Sequence, residues 1–96
     1  MDKLDHTREN GLTYLTLNVE YRNNIGELLT YIPKVKVGQL VVKDETVLAS
    51  METCRCMSVL RAPFTGKIVS IERSFLDNPC EMGPNTVLFS LEERQG

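Results

Sequence analysis

A seven-residue run occurs twice in this chain. Thr46-Val47-Leu48-Ala49-Ser50-Met51-Glu52 recurs as Thr86-Val87-Leu88-Phe89-Ser90-Leu91-Glu92, with five identities, at an offset of 40 residues. Under the same offset Gly26 meets Gly66, Leu28 meets Ile68, Leu29 meets Val69 and Thr30 meets Ser70. Residues 25–52 and 65–92 therefore read as an internal repeat. With 96 residues there is room for one small domain. Both copies must then give strands to the same core, related by a quasi-two-fold axis. The link between them, residues 53–64, becomes a protruding hairpin. The C-terminus falls at the position equivalent to that hairpin's first strand, at the opposite end.

The rest of the chain reads as short strands broken by turns. Residues 1–11 are polar and are expected to be a flexible segment. Leu15, Leu17 and Val19 alternate with Thr16 and Asn18, the period of a half-buried strand. Glu20 to Asn24 is one helical turn or a loop. Ile25 to Ile32 reads as a strand ended by Pro33, which has no amide hydrogen for a ladder. Lys34-Val35-Lys36-Val37 alternates as a strand, with both lysines on a solvated or edge-protecting face. Gly38, Lys43-Asp44-Glu45, Asp77-Asn78-Pro79 and Gly83-Pro84-Asn85 are turns. Leu40 to Val42, Thr46 to Met51, Lys67 to Ile71 and Thr86 to Leu91 are strands. The expectation is an all-β domain over 12–92, a sandwich or flattened barrel, with a tail at 93–96.

Composition narrows the function classes. A net charge of −2 gives no electrostatic ground for nucleic-acid or polybasic membrane binding. No apolar run approaches the ~18 residues that cross a bilayer. The first ten residues carry no signal-peptide core. Three cysteines, an odd number, suit a reducing compartment, and the expected location is cytoplasmic.

The chemistry concentrates where the hairpin turns: Glu52-Thr53-Cys54-Arg55-Cys56. Arginine stays protonated and offers a planar fork to carboxylates or phosphates. Cys54 and Cys56 flank it, two apart. A structural zinc site wants four ligands, and Cys54, Cys56, Cys80 and His6 are the only Cys and His available, so no metal site is expected. Arg55 beside a thiol would favour its thiolate, which leaves a redox or acyl-accepting role open. The plainer reading of the cysteines is as small apolar side chains, and of Glu52, repeated as Glu92, as structural. With one histidine and no nucleophile–base set, catalysis by this domain is not expected.

These residues resemble a known family. Glu52-Thr53-Cys54-Arg55 stands seven residues before Ala62-Pro63 and eleven before Gly66, counted from Arg55. That is similar to the biotinyl/lipoyl attachment domain, whose signature is Glu, two residues and the modified Lys, then Ala-Pro and Gly at those distances. The glycine-cleavage H proteins are the nearest likeness. Pro79, thirteen residues after Gly66, and Asp77 continue their pattern, and Ile25-Gly26-Glu27-Leu28 resembles their Leu-Gly-Asp-Ile. The resemblance implies a barrel-sandwich hybrid of two four-stranded sheets.

Two departures carry as much weight as the matches. The position of the modified lysine is Arg55, whose guanidinium is a poor nucleophile, so neither lipoate nor biotin is expected there. The nearest lysines, Lys43 and Lys67, do not sit at the tip. The family's turn glycine before the hairpin strand is replaced by Lys43-Asp44-Glu45. The expectation is a non-catalytic, unmodified carrier-like module whose tip (Glu52, Thr53, Cys54, Arg55, Cys56) meets protein partners. Its alternatives are a carrier loading acyl or sulfur groups on Cys54 or Cys56, and a variant H protein.

Overall fold

The computed structural model describes residues 3–83 and 85–94. Met1, Asp2, Pro84 of the expected turn, and Gln95 and Gly96 of the expected tail lie outside the described residues. Those described form eight strands: β1 (Leu4–Glu9), β2 (Leu12–Leu17), β3 (Leu28–Pro33), β4 (Leu40–Val41), β5 (Val47–Thr53), β6 (Met57–Arg61), β7 (Gly66–Ile71) and β8 (Val87–Glu93). A short helix α1 (Val19–Asn24) and a 3-10 turn (Pro79–Glu81) complete the order. Asn18 caps α1, its side chain accepting from the Tyr21 amide at 2.9 Å.

The strands make two antiparallel sheets, ordered β1-β2-β8-β7-β4 and β3-β5-β6. The division is five and three, not the four and four that the resemblance implied. The repeated run forms the middle of each sheet: β5 lies between β3 and β6, and β8 between β7 and β2. Leu48, Ala49 and Met51 of β5 and Leu88, Phe89 and Leu91 of β8 are buried together. Leu15, Leu17, Leu28, Tyr31, Leu60 and Ile68 complete the centre of the core.

The quasi-two-fold relation is present, but its offset is not uniform. On the ladders Leu28 faces Thr53, Ile32 faces Ser50 and Pro33 faces Ala49. The corresponding pairs in the other sheet are Gly66 with Glu93, Ser70 with Ser90 and Ile71 with Phe89. β5 and β8 are related by 40 residues, while β3 and β7 are related by 38. Backbone hydrogen bonds outside the ladders agree. Leu48 O accepts from Lys34 N and Leu88 O from Glu72 N; Cys54 N donates to Glu27 O and Arg94 N to Thr65 O. The connection from Ile71 to Val87 is longer than that from Pro33 to Val47, which absorbs the two residues. Because the shift is even, every side chain keeps its face. Gly66 is thus the structural counterpart of Leu28, and its sequence match to Gly26 does not correspond to a shared position.

Three expectations are corrected. Residues 4–9 are not a loose segment: β1 pairs with β2 from Leu4–Leu17 to Glu9–Leu12. The turn between them is Asn10-Gly11, both at positive φ (52° and 79°), the two-residue geometry that Asn-Gly favours. Lys34 to Val37 is not a strand. Lys34 continues the hydrogen bonding of β3, then Gln39 N returns to Lys36 O at 3.0 Å and closes a turn. Only Val35 of that stretch is buried. Finally, Glu93 belongs to β8 rather than to a tail. The Lys43-Asp44-Glu45 substitution for a turn glycine is accommodated at Asp44, which takes φ 63°, a conformation Asp tolerates better than most residues.

A polar clasp ties the first strand to the last. Arg8 donates to Glu93 through Nε at 2.6 Å and Nη2 at 3.2 Å. Thr13, buried on β2 between them, donates to the same carboxylate. The Arg8 hydrogen bond first, then that of Thr13, holds the Glu93 carboxyl down to about 2. The folded pKa lies below the ordinary ~4.3, so the contribution is complete above that value and is lost as pH falls toward 2. Both side chains are substantially exposed, so it amounts to under ~1 kcal/mol. Urea unfolding at about pH 6 and about pH 3 should show the wild type losing more stability than Glu93→Gln. Equal losses would place the titration on another group.

Candidate functional site

The tip joining β5 to β6 is built by Thr53. Its side chain is buried, and its Oγ1 accepts from the amides of Arg55 and Cys56, each at 3.1 Å. The same hydroxyl lies 3.3 Å from Cys56 O, to which it donates. Thr53 N also donates to Cys56 O at 2.8 Å, closing the turn. A single buried hydroxyl thus organises Arg55 and Cys56, and Cys54, Arg55 and Cys56 are exposed around it.

The tip does not stand free in solvent. It rests on the loop between α1 and β3. Cys54 N donates to Glu27 O at 3.0 Å, and Glu27 N donates back to Cys54 Sγ at 3.3 Å. Gly26 lies beneath at φ 85°; a Cβ there would stand 2.8 Å from Cys54 Sγ and 3.1 Å from Arg55 Cγ. Arg55 Nη1 reaches across to Asn24 O at 3.2 Å. From the other side Arg22 Nη1 donates to Gly26 O at 3.2 Å. Two arginines therefore hold the carbonyls of one short loop, and the absence of a side chain at Gly26 lets the tip settle on it.

The two thiols face different neighbours. Cys54 Sγ takes the Glu27 amide, whereas Cys56 Sγ lies 3.6 Å from Thr53 Oγ1. Both are free and exposed, as is Cys80 in the 3-10 turn. His6 is far in topology from this turn, on β1 with its ring edge-on to Phe64 at 4.8 Å. Among the described residues no three His, Cys, Asp or Glu side chains gather as a metal set. Glu52 is exposed opposite Thr30 and Met57, and Glu92 is exposed opposite Lys67. Lys43 lies in the β4–β5 turn and Lys67 on β7, so neither lysine is at the tip.

Asn24, Gly26, Glu27 and Arg22 are parts of the site that residue-type reasoning did not place there. A signal for them existed in the glycine of Ile25-Gly26-Glu27, followed by an apolar strand. What it lacked was a partner, because the contact is between segments 27 residues or more apart.

No protein-family model matches the sequence. The curated glycine cleavage system H protein 5 of Aquifex aeolicus (strain VF5) is 39% identical over 54 residues. That alignment covers 56% of this chain and 35% of the relative, so the match spans about a third of the relative's length. Among solved structures, a glycine cleavage system H protein from Mycobacterium marinum superposes with a TM-score of 0.75 at 23% identity. The superposition covers 91% of this chain and 70% of that one. The chain is similar to glycine cleavage H proteins in fold and, over 54 residues, in sequence. Its two open antiparallel sheets are the fold of that H protein.

Replacing Thr53 by Val keeps the shape and removes the acceptor of two amides. Thr53→Val should cost ~1–2 kcal/mol. Hydrogen exchange at the Arg55 and Cys56 amides should accelerate more than at the β8 amides. Unchanged exchange at those two amides would show that the hydroxyl does not organise the turn.

Proposed function

We propose that this chain is a non-catalytic, unmodified H-protein-like module, a pseudo-carrier that presents the β5–β6 tip to protein partners. The observation that carries this reading is Arg55. It occupies the position that the attachment-domain signature gives to the modified lysine, and its guanidinium is tied to Asn24 O. Amide formation with lipoate or biotin needs a neutral amine that can attack an activated carboxyl, and a guanidinium that stays protonated does not supply one. The neighbourhood suits recognition by another protein. Arg55 is exposed at the tip, and β6 opens two residues later with Met57, which is 80% exposed. An exposed arginine followed closely by an exposed methionine is of the composition that interface centres favour. Partners are accordingly proteins that read a carrier tip, with neither nucleic acid nor membrane required. No helix among the described residues is long and apolar enough to cross a membrane. Three free thiols fit a cytoplasmic setting.

One observation favours a second reading. The Glu27 amide donates to Cys54 Sγ, which holds that exposed thiol in one orientation at the tip. A carrier that loads acyl or sulfur groups on Cys54 would use this contact, with Cys56 as its neighbour.

Intact mass after co-expression with a lipoate ligase and with a biotin ligase, cofactor supplied, tests both. The wild type should gain no lipoyl or biotinyl mass, and an adduct at the tip would overturn the proposal. Capture by Arg55→Ala and Arg55→Lys, compared with wild type, should differ if partners read the tip. Equal capture by all three would remove the tip as the docking site. A thioester or persulfide mass on Cys54, absent in Cys54→Ser, would favour the second reading.

A further inference from the structure

Away from the tip, the two sheets leave a gap. β1 is an edge of the five-stranded sheet and β6 an edge of the three-stranded one. They face each other across a gap without pairing: Lys3, just before β1, reaches Ser58 on β6, and the His6 ring on β1 meets Phe64, just beyond β6. A groove of about 440 Å³ lies between them, a size within the range of ligand clefts. One side of each edge strand has no ladder partner, and such rows of amides and carbonyls accept an added strand. The Val59 carbonyl shows the direction: it points out of the β5–β6 ladder and is met by Lys3 Nζ at 3.0 Å.

The charge around the groove is one-sided. Lys3, Lys43 and Arg61 line it, with Asp44 as the acidic residue on its wall. Among the described residues none of these three cations forms an ion pair; the carboxylate of Glu93 is taken by Arg8. Lys3 donates to Ser58 Oγ and Val59 O, and Arg61 donates to Glu45 O at 3.4 Å, all neutral acceptors. In a chain of net charge −2, three cations without carboxylate partners converge on one cleft. Its floor is apolar, formed by Leu4, Val59 and Phe64.

From this geometry we propose that the β1–β6 groove binds an extended acidic peptide segment of a partner protein by strand addition. The peptide's backbone pairs with the free edge of β6 or β1, its alternate apolar side chains cover Leu4, Val59 and Phe64, and its carboxylates meet Lys3, Lys43 and Arg61. Lys3 caps the edge when no strand is present and swings its ammonium from Val59 O to a carboxylate when one is. The surface is distinct from the β5–β6 tip, so this assignment stands or falls independently of the pseudo-carrier reading.

The test uses the full chain and a fluorescein-labelled peptide of alternating Glu and Val, read by fluorescence anisotropy. Wild type should bind, more weakly as salt is raised. Lys43→Glu/Arg61→Glu should bind at least ~10-fold more weakly, the size of about 1.4 kcal/mol lost from the charge contacts. The same peptide N-methylated at alternate residues, which removes the pairing amides and leaves the protein untouched, should lose a similar factor. Amide NMR shifts should centre on Leu4, His6, Val59 and Arg61. Equal affinity for the N-methylated peptide, unaltered affinity in the double variant, or shifts centred elsewhere would each overturn the proposal. So would binding of vesicles containing anionic phospholipid with none of the peptide, which would make the groove a membrane contact.

Discussion

The fold depends on β5 and β8 each being paired along both edges. A central strand has its backbone polar groups taken up by neighbours, so it can be buried without leaving amides unpaired. That condition is met twice by nearly the same seven residues. Leu48 and Leu88 are both at 0% exposure, as are Ala49 and Phe89. The one large difference in the run, Ala49 against Phe89, is a difference of volume inside a shared core, where a large residue on one side requires a small one on the other. Substituting both copies with Phe would overfill the space between the sheets.

Symmetry stops where the two central strands end. After Thr53 the chain turns back as β6, which becomes the third strand of the smaller sheet. After Glu93 there is no such return among the described residues, and the place beside β8 is taken by β2, from the other end of the chain. The exposed end of β8 is then secured by the Arg8–Thr13–Glu93 clasp, where the first half has the Thr53 turn. These are two solutions to one problem, terminating a buried strand without leaving its last polar groups unmet. The two solutions also leave β1 and β6 as neighbouring, unpaired edges, which is the origin of the cationic groove.

What could be read from the residues follows the same division. The central strands were legible because burial on a sheet leaves an apolar run, and a repeated run is a strong sign. β1 was not, because Leu4-Asp5-His6-Thr7-Arg8-Glu9 carries almost no apolar pattern. It is held by its ladder with β2, by Arg8 on Phe64 (4.8 Å) and by the Glu93 ion pair, none of which has a local signature. Asn10-Gly11 was the available clue, since a two-residue turn requires strands on both sides. Lys34 to Val37 failed the opposite way: alternation was present but nothing paired with it, and Val37 is 63% exposed. The repeat itself was read correctly on β5 and β8 but two residues out on β3 and β7. Small residues and β-branched residues recur too often in strands for Gly26 and Gly66 to fix a register. At the tip, the spacing from Glu52 to Gly66 located Arg55, while the loop that supports it came only from the tertiary contact.

That support bears on what Arg55 is for. A carrier's modified side chain has to extend away from its turn, so that the group it bears can travel. Here the carbon stem lies across the face of Gly26, with Cγ and Cδ about where a Cβ would press at 3.1 and 3.2 Å, and the guanidinium ends on Asn24 O. The planar fork has further donors than that one contact uses, and they remain available to an acidic group on a partner. Arg55 thus fastens the tip to the α1–β3 loop and keeps a permanently charged group exposed at the surface. Holding the turn in one geometry lowers the entropy a partner must overcome in reading it. On the pseudo-carrier reading proposed above, the exchange of lysine for arginine would be a change of task as well as a loss of chemistry, a mobile arm giving way to a rigid docking point.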